Sequence, residues 1–87
     1  MDHDDLVELV AGDLTHSVSQ MLIEMGPEDG QRCAKKALIE FATQAMSGAP
    51  KIGAMDVSAF TEAERHALAQ ASAMVLATIR ADTGRPQ

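Results

Sequence analysis

The sequence predicts an all-α fold with three helices, a helix hairpin followed by a third helix. Gly and Pro divide the chain into three blocks whose apolar residues recur at helical spacing. β-branched residues are few and do not alternate over a useful length, so no strand is predicted. The 87 residues leave room for one domain, 1–87, and for no second core.

The first helix is predicted at about 4–25. Its apolar seam has the 4-3-4-3-4 spacing of a heptad and comprises Val7, Ala11, Leu14, Val18, Met21 and Met25. Glycine commonly follows the last turn of a helix, and proline is tolerated in the first turn of the next. Gly26-Pro27 should therefore end this helix and form the short turn of an antiparallel hairpin.

The second helix is predicted at about 28–47, with Gly30 weakening its first turn. Its inner stripe comprises Ala34, Leu38, Phe41 and Ala45. In the hairpin, Leu14 and Val18 are expected to meet Leu38 and Phe41. The following loop, about 48–60, is expected to pack across the helices because it contains Ile52, Met55 and Val57.

The third helix is predicted at about 62–81. It opens with a capping box between Thr61 and Glu64, in which the side chain of each residue accepts a hydrogen bond from the backbone N–H of the other. Its main stripe comprises Leu68, Ala71, Val75 and Ile79. Gly84 is the predicted stop signal after the third helix. Residues 83–87 are predicted to form a short flexible tail.

Composition narrows the function classes. The chain has 7 basic and 13 acidic residues and a net charge of −6, which argues against a protein that binds nucleic acid directly. Alanine supplies 15 of its 40 apolar residues and there is no Trp or Tyr, so we expect a thin core of Ala, Met and a few Leu. The apolar stretches are too short to span a membrane, and no secretion signal precedes them, so a cytoplasmic protein is expected.

The sequence does not predict catalytic, metal or cofactor chemistry. His16 and Ser17 are neighbours in a helix and point about 100° apart, and the three histidines are dispersed along the chain. The single cysteine, Cys33, excludes an internal disulfide. It lies beside Arg32, Lys35 and Lys36, which leaves open a reactive thiol or a tolerated surface cysteine. We expect no enzyme.

Each helix carries apolar or small residues away from its main stripe. The predicted partner or dimer surface comprises Leu9, Gly12, His16, Ile23, Ile39, Met46, Ala69, Ala73 and Ala77. One interpretation is the ordinary exposure of isolated apolar residues. The other is a second subunit that covers them, because small domains are marginally stable and oligomerisation is a common remedy. We favour a homodimer.

Charge is segregated along the chain. Residues 1–25 hold six acids and no Lys or Arg, whereas residues 26–87 hold seven acids and seven bases, so the whole net charge lies on the first helix. The predicted acidic docking face comprises Asp2, Asp4, Asp5, Glu8 and Asp13. It is either a solvated face that also suits the helix dipole or a docking surface for a basic partner.

Two functions follow from these features. The first is a small intracellular protein that acts by binding another protein, as an adaptor, anti-activator or inhibitor, including one encoded by a phage or mobile element. The alternative is an acidic nucleic-acid mimic that competes for a basic groove on its partner. Binding by mimicry should weaken steeply with salt, and binding through apolar side chains should not.

Overall fold

The computed structural model describes the backbone of residues 2–83 and the side chains of residues 2–80. It contains three helices packed against one another: α1 (His3–Met25), α2 (Pro27–Ser47) and α3 (Glu62–Thr83). The predicted all-helical, three-helix architecture is confirmed. Residues 84–87 of the predicted tail, Gly84 among them, lie outside the described residues.

A one-residue turn joins α1 to α2. Gly26 adopts φ 89, a value that side chains disfavour, and its N–H donates to the Leu22 carbonyl at the end of α1. Gly30 is buried where the two helices cross, and a Cβ there would stand 2.8 Å from the Leu22 Cα. This glycine, which the sequence marks as a weak point, therefore permits the close approach of α2 to α1.

The helices alternate in direction. Val7 near the start of α1 packs with Ala67 and Ala71 near the start of α3, so these two helices run parallel. The α2 residue Leu38 packs against Val18 in the middle of the bundle, and α2 runs antiparallel to both neighbours. The result is an up-down-up bundle with principal extents of 43 × 23 × 18 Å.

A small β-hairpin occupies the loop between α2 and α3. Its strands β1 (Lys51–Ile52) and β2 (Met55–Asp56) pair antiparallel around Gly53, which adopts φ 60. Sequence reasoning predicted no strand, because two residues per strand give no visible alternation. Ile52 and nearby Val57 are buried, whereas Met55 is 39% exposed.

The core consists of aliphatic residues and alanines. Its buried apolar members are Val7, Val18, Ala34, Leu38, Ala45, Ile52, Val57, Ala67, Leu68, Ala71, Val75 and Ile79. The expectation that methionine fills this core is wrong. Met21 is half-buried, but the other methionines with described side chains are at least 39% exposed, namely Met25, Met46, Met55 and Met74. The predicted seam of α1 therefore ends in solvent at Met25.

Candidate functional site

The outward side of α1 carries exposed apolar side chains. Ile23 is 77% and Leu9 53% exposed. At about 100° per residue, both point away from the Val7–Val18 seam that contacts α2 and α3. Between them lie Gly12 and His16, which are also exposed. We call Leu9, Gly12, His16 and Ile23 the α1 face.

Carboxylates surround the first half of the α1 face. Asp5 and Asp13 stand one turn before and one turn after Leu9, and Glu8 lies on the flank. Asp2 and Asp4 precede them at the start of the helix. All five carboxylates of the predicted acidic face are exposed. The arrangement combines apolar contact area with a dense negative charge, a surface complementary to a basic partner.

Gly12 has no packing role among the residues that the structure describes. A Cβ added there would meet nothing within 4 Å, unlike one added at Gly30. Glycine in the middle of a helix costs about 0.5–1 kcal/mol relative to alanine. The fold therefore retains a destabilising residue in the centre of the α1 face, where it lets another backbone approach α1 closely.

A second exposed surface lies on the other side of the bundle. Ile39 is 49% and Met46 53% exposed on the flank of α2 that faces α3. Met46 shares a cleft of ≈ 150 Å³ with Glu62 and His66 at the start of α3. Ala73 is exposed one helix turn beyond half-buried Ala69. We call Ile39, Met46, Ala69 and Ala73 the α2–α3 face.

The structure thus divides the predicted partner surface in two. On α3, Ala67 and Ala71 face α1. Ala69 and Ala73 point to the other side of the helix, and the buried side chain of Leu68 points between the two pairs. On α2, Gly30 faces α1 and Ile39 points to the opposite side of that helix. The α1 face and the α2–α3 face consequently point in opposite directions. Ala77 is exposed at the edge of the second face, and Ala69 packs partly against the chain's own core.

Arg65 is a polar residue that the sequence analysis overlooked. It is half-buried, and its guanidinium donates hydrogen bonds to the carbonyls of Ala45 (3.2 Å), Ala49 (2.7 Å) and Val57 (3.1 Å). It thereby caps the carboxyl end of α2, where backbone carbonyls have no helical partner. These contacts hold the loop beneath Met46 and so shape one end of the α2–α3 face. Arg65 stands between two polar residues in the first turn of α3, so no signal in the sequence sets it apart.

Hydrogen bonds lower the pKa of two carboxyl groups near the start of α3. The N–H of Thr61 donates to the Glu64 carboxylate at 2.8 Å and lowers its pKa, and the Thr61 hydroxyl accepts from the Glu64 N–H. The N–H and hydroxyl of Ser58 donate to Asp56 and lower the pKa of that carboxyl. Both arrangements fix local turns, and the first is the predicted capping box.

The other polar candidates are scattered over the surface. The ring of His3 hydrogen-bonds to Gln70 at 2.9 Å, whereas His16, His66 and Cys33 are exposed. Among the described residues, no three His, Cys, Asp or Glu side chains are placed to hold a metal ion. Within the same part of the chain, no helix is long and apolar enough to cross a bilayer.

A shallow cleft between the helices accompanies these surfaces. It is lined by Thr15, Ser19, Leu22, Gln31, Thr78 and neighbouring core residues and has a volume of ≈ 180 Å³. A roomier open cleft of ≈ 290 Å³ is lined by His3, Leu6, Thr61, Ala63 and Glu64. Both volumes lie below the range of about 300–1,000 Å³ that is usual for pockets enclosing drug-sized ligands. The candidate site is therefore built from the two helix faces.

Comparison with known proteins adds no relative. No protein-family model, curated protein or solved structure matches this chain. The two faces are therefore the features of this chain from which a function can be inferred.

Proposed function

We propose that this protein acts by binding another protein through the α1 face, as an adaptor, anti-activator or inhibitor, and that it is not an enzyme. The observation that most supports this is the exposure of Ile23 (77%) and Leu9 (53%) on a helix with no Lys or Arg. Apolar side chains in a contact that excludes water supply most of the free energy of a typical protein interface.

The carboxylates define the chemistry of the partner. Asp5, Glu8 and Asp13 surround Leu9, so a matching surface would present an apolar side chain ringed by Lys or Arg. Such complementary charge speeds encounter and rejects acidic competitors, while buried apolar contact determines residence time. Gly12 lets the partner's backbone approach between Leu9 and Ile23, which lie about 21 Å apart along the helix.

The experiment is affinity capture of the tagged protein from its own cell, with stoichiometry measured by mass spectrometry. Wild type should retain a stoichiometric partner, and a Leu9→Asp, Ile23→Asp double variant should lose it. Both sites are exposed, so the variant should remain folded. The matched control is Met74→Asp, which places the same charge at a 50% exposed residue outside both faces. Equal capture by wild type and the double variant would refute the proposal.

A nucleic-acid mimic is the second candidate, and it is supported by the exposure of all five carboxylates on the acidic face. In that case the partner is a nucleic-acid-binding protein, and carboxylates occupy its phosphate sites. The same capture, repeated from low to physiological salt, separates the two functions. Mimicry requires binding that falls steeply with salt and tolerates loss of Leu9 and Ile23. Docking through the α1 face requires binding that persists at physiological salt and is lost without Leu9 and Ile23.

We also propose that the chain forms a homodimer. The support is the α2–α3 face, which presents Ile39 and Met46 on the side opposite α1. A second copy there would leave the α1 face open to a partner. The dimer would also compensate for the small core of an 87-residue domain.

A further inference from the structure

The outer side of α3 has a second helical seam that the chain itself buries only in part, at Ala69 and Leu76. Its positions follow the 4-3-4-3-4 spacing of a heptad and are Glu62, His66, Ala69, Ala73, Leu76 and Arg80. Ala69 and Leu76 are half-buried, and the other four are exposed. The buried residues of α3, such as Leu68 and Val75, lie on its opposite side. We call these six residues the outer seam.

The outer seam is symmetric when its direction is reversed. Reversal about Ala71 exchanges Glu62 with Arg80 and Ala69 with Ala73, because the spacing is the same in both directions. It also exchanges His66 with Leu76. Two such seams packed antiparallel would therefore place an acid opposite a base at both ends and alanine opposite alanine in the middle. This self-complementarity is what a two-fold interface requires.

Helix α2 adds apolar area at the centre of the same surface. The Ser72 hydroxyl donates to the Leu38 carbonyl at 2.6 Å, which places Leu38 level with Ser72. Because α2 and α3 run antiparallel, Ile39 is level with Ala71, the midpoint of the seam. Its side chain is 49% exposed there. Met46 lies beside Glu62 and His66, towards one end.

We propose that a second copy of this chain covers the outer seam in an antiparallel, two-fold arrangement, an inference that rests on the homodimer proposed above. Glu62 of each copy lies against Arg80 of the other, and Ala69 against Ala73. The small alanine side chains let the two α3 helices approach closely, and Ile39 packs across the two-fold axis.

The size of the face agrees with a reversible dimer. Glu62 and Arg80 are about 27 Å apart along α3, and two adjacent helices are roughly 20 Å wide, so the face projects to about 540 Å². A standard interface buries about 800 Å² per partner once surface relief is included. The dimer should therefore form at high concentration and dissociate on dilution.

The first test is sedimentation equilibrium of the untagged full chain over a wide concentration range. Wild type should shift from monomer to dimer as concentration rises. Ala73→Glu should raise the dissociation constant more than about a hundredfold, because it places unpaired carboxylates in the contact. The matched control is Ala63→Glu, an exposed alanine of α3 outside the seam, which should dimerise as wild type does. A monomeric wild type at the highest concentration would overturn the proposal.

The second test reverses the charges at the ends of the seam. Glu62→Arg alone and Arg80→Glu alone should each weaken self-association on the order of tenfold, because like charges then face one another. An equimolar mixture of the two variants should form a heterodimer at least as tight as the wild-type dimer, since each acid again faces a base. A mixture no tighter than either variant alone would overturn the antiparallel register. This result stands even if Ala73→Glu does not fold.

The dimer and the α1 face can fail independently. Monomeric Ala73→Glu should still capture the partner protein through Leu9 and Ile23. If wild type is monomeric but captures that partner, the outer-seam dimer is wrong and the proposed binding function remains. Wild type could also dimerise but capture no protein that the Leu9→Asp, Ile23→Asp variant loses. In that case the binding function is wrong and the dimer remains.

Discussion

Helix α1 and the α2–α3 pair are held in the bundle by different kinds of contact. Buried or half-buried polar side chains join α3 to α2: Ser72 donates to the Leu38 carbonyl, and Arg65 donates to carbonyls of α2 and its loop. Helix α1 packs through apolar residues such as Val7 and Val18. Its side-chain hydrogen bond to α3, from His3 to Gln70, is exposed.

The difference separates a scaffold, α2 and α3, from the helix that carries the proposed recognition surface. Hydrogen bonds are directional and fix the register of α3 against α2, whereas apolar burial is non-directional and holds α1 by area and shape. Helix α1, for which no such buried polar contact is seen among the described residues, carries five acids and no Lys or Arg, and Asp2 directly before it supplies the sixth charge. In the proposed function, α2 and α3 form the scaffold and α1 offers its charged, apolar outward side to the partner.

The largest effect is expected at Arg65. Arg65→Leu removes three hydrogen bonds and takes the side-chain donor from the carbonyls of Ala45 and Ala49. The carbonyl of Val57 keeps the hydrogen bond from the Phe60 N–H. The substitution should lower the free energy of unfolding by about 2–4 kcal/mol, measured by urea denaturation. The control is Arg32→Leu, which removes an exposed ion pair to Asp29 and should cost less than about 1 kcal/mol. Equal losses would contradict the assigned role of Arg65.

The two interior helix glycines should respond in opposite directions. Gly30→Ala drives a Cβ to 2.8 Å from the backbone of Leu22 and Met21, and overpacking of this kind costs about 1–3 kcal/mol. Gly12→Ala meets open space and should stabilise the fold by about 0.5–1 kcal/mol. Thermal melting of both variants beside wild type measures the contrast. Changes of the same sign would mean that the α1–α2 crossing is misplaced.

Loss of the buried hydroxyl should have a moderate effect. Ser72→Ala removes the donor to the Leu38 carbonyl and should cost about 1 kcal/mol in urea denaturation. Thr78 makes the matching bond within its own helix, to the Met74 carbonyl at an exposed position. Thr78→Ala should therefore change stability by only a few tenths of a kcal/mol. If the two variants melt alike, the Ser72 bond does not fix the α2–α3 register.

Loss of the capping box should have an effect no larger than that of Ser72→Ala, and this effect should depend on pH. Hydrogen bonds from Thr61 lower the pKa of Glu64 in the folded chain. The ionised Glu64 carboxylate therefore stabilises the folded chain at pH values above the pKa that this group has in the unfolded chain. This stabilisation disappears as the pH falls through the lower pKa of Glu64 in the folded chain. Melting temperature should fall on acidification through that range, and Glu64→Gln should reduce the slope. Thr61→Ala should cost about 1 kcal/mol at neutral pH. A pH profile unchanged by Glu64→Gln would contradict this.

Sequence periodicity predicted the parts of the fold that depend on local spacing. The stripes through Val18, Leu38 and Val75 are buried together, and the Thr61–Glu64 cap forms as its motif predicts. The partners of Arg65 lie 8, 16 and 20 residues away, so its role depends on where the chain returns. No helical repeat encodes that information.

The candidate site was harder to predict because exposure depends on how the helices are arranged. Leu9, Ile23, Ile39 and Met46 could be assigned to the outside of their helices from spacing alone. That they form two opposite faces follows from the crossing at Gly30 and the contacts of Ala67 and Ala71, which spacing does not show. The exposure of Met25, which its place in the apolar seam of the first helix predicted to be buried, has the same cause.

The four isoleucines provide the most direct test of the division between the two faces. Ile23 lies on the α1 face and Ile39 on the α2–α3 face, whereas Ile52 and Ile79 are buried. In methyl NMR spectra, dilution should shift the Ile39 signal, and addition of the captured partner should shift or broaden Ile23. Both buried methyls should stay in place. If the partner leaves Ile23 unchanged while it perturbs Ile39, Ile52 or Ile79, the α1 face is not the binding surface and the account is wrong.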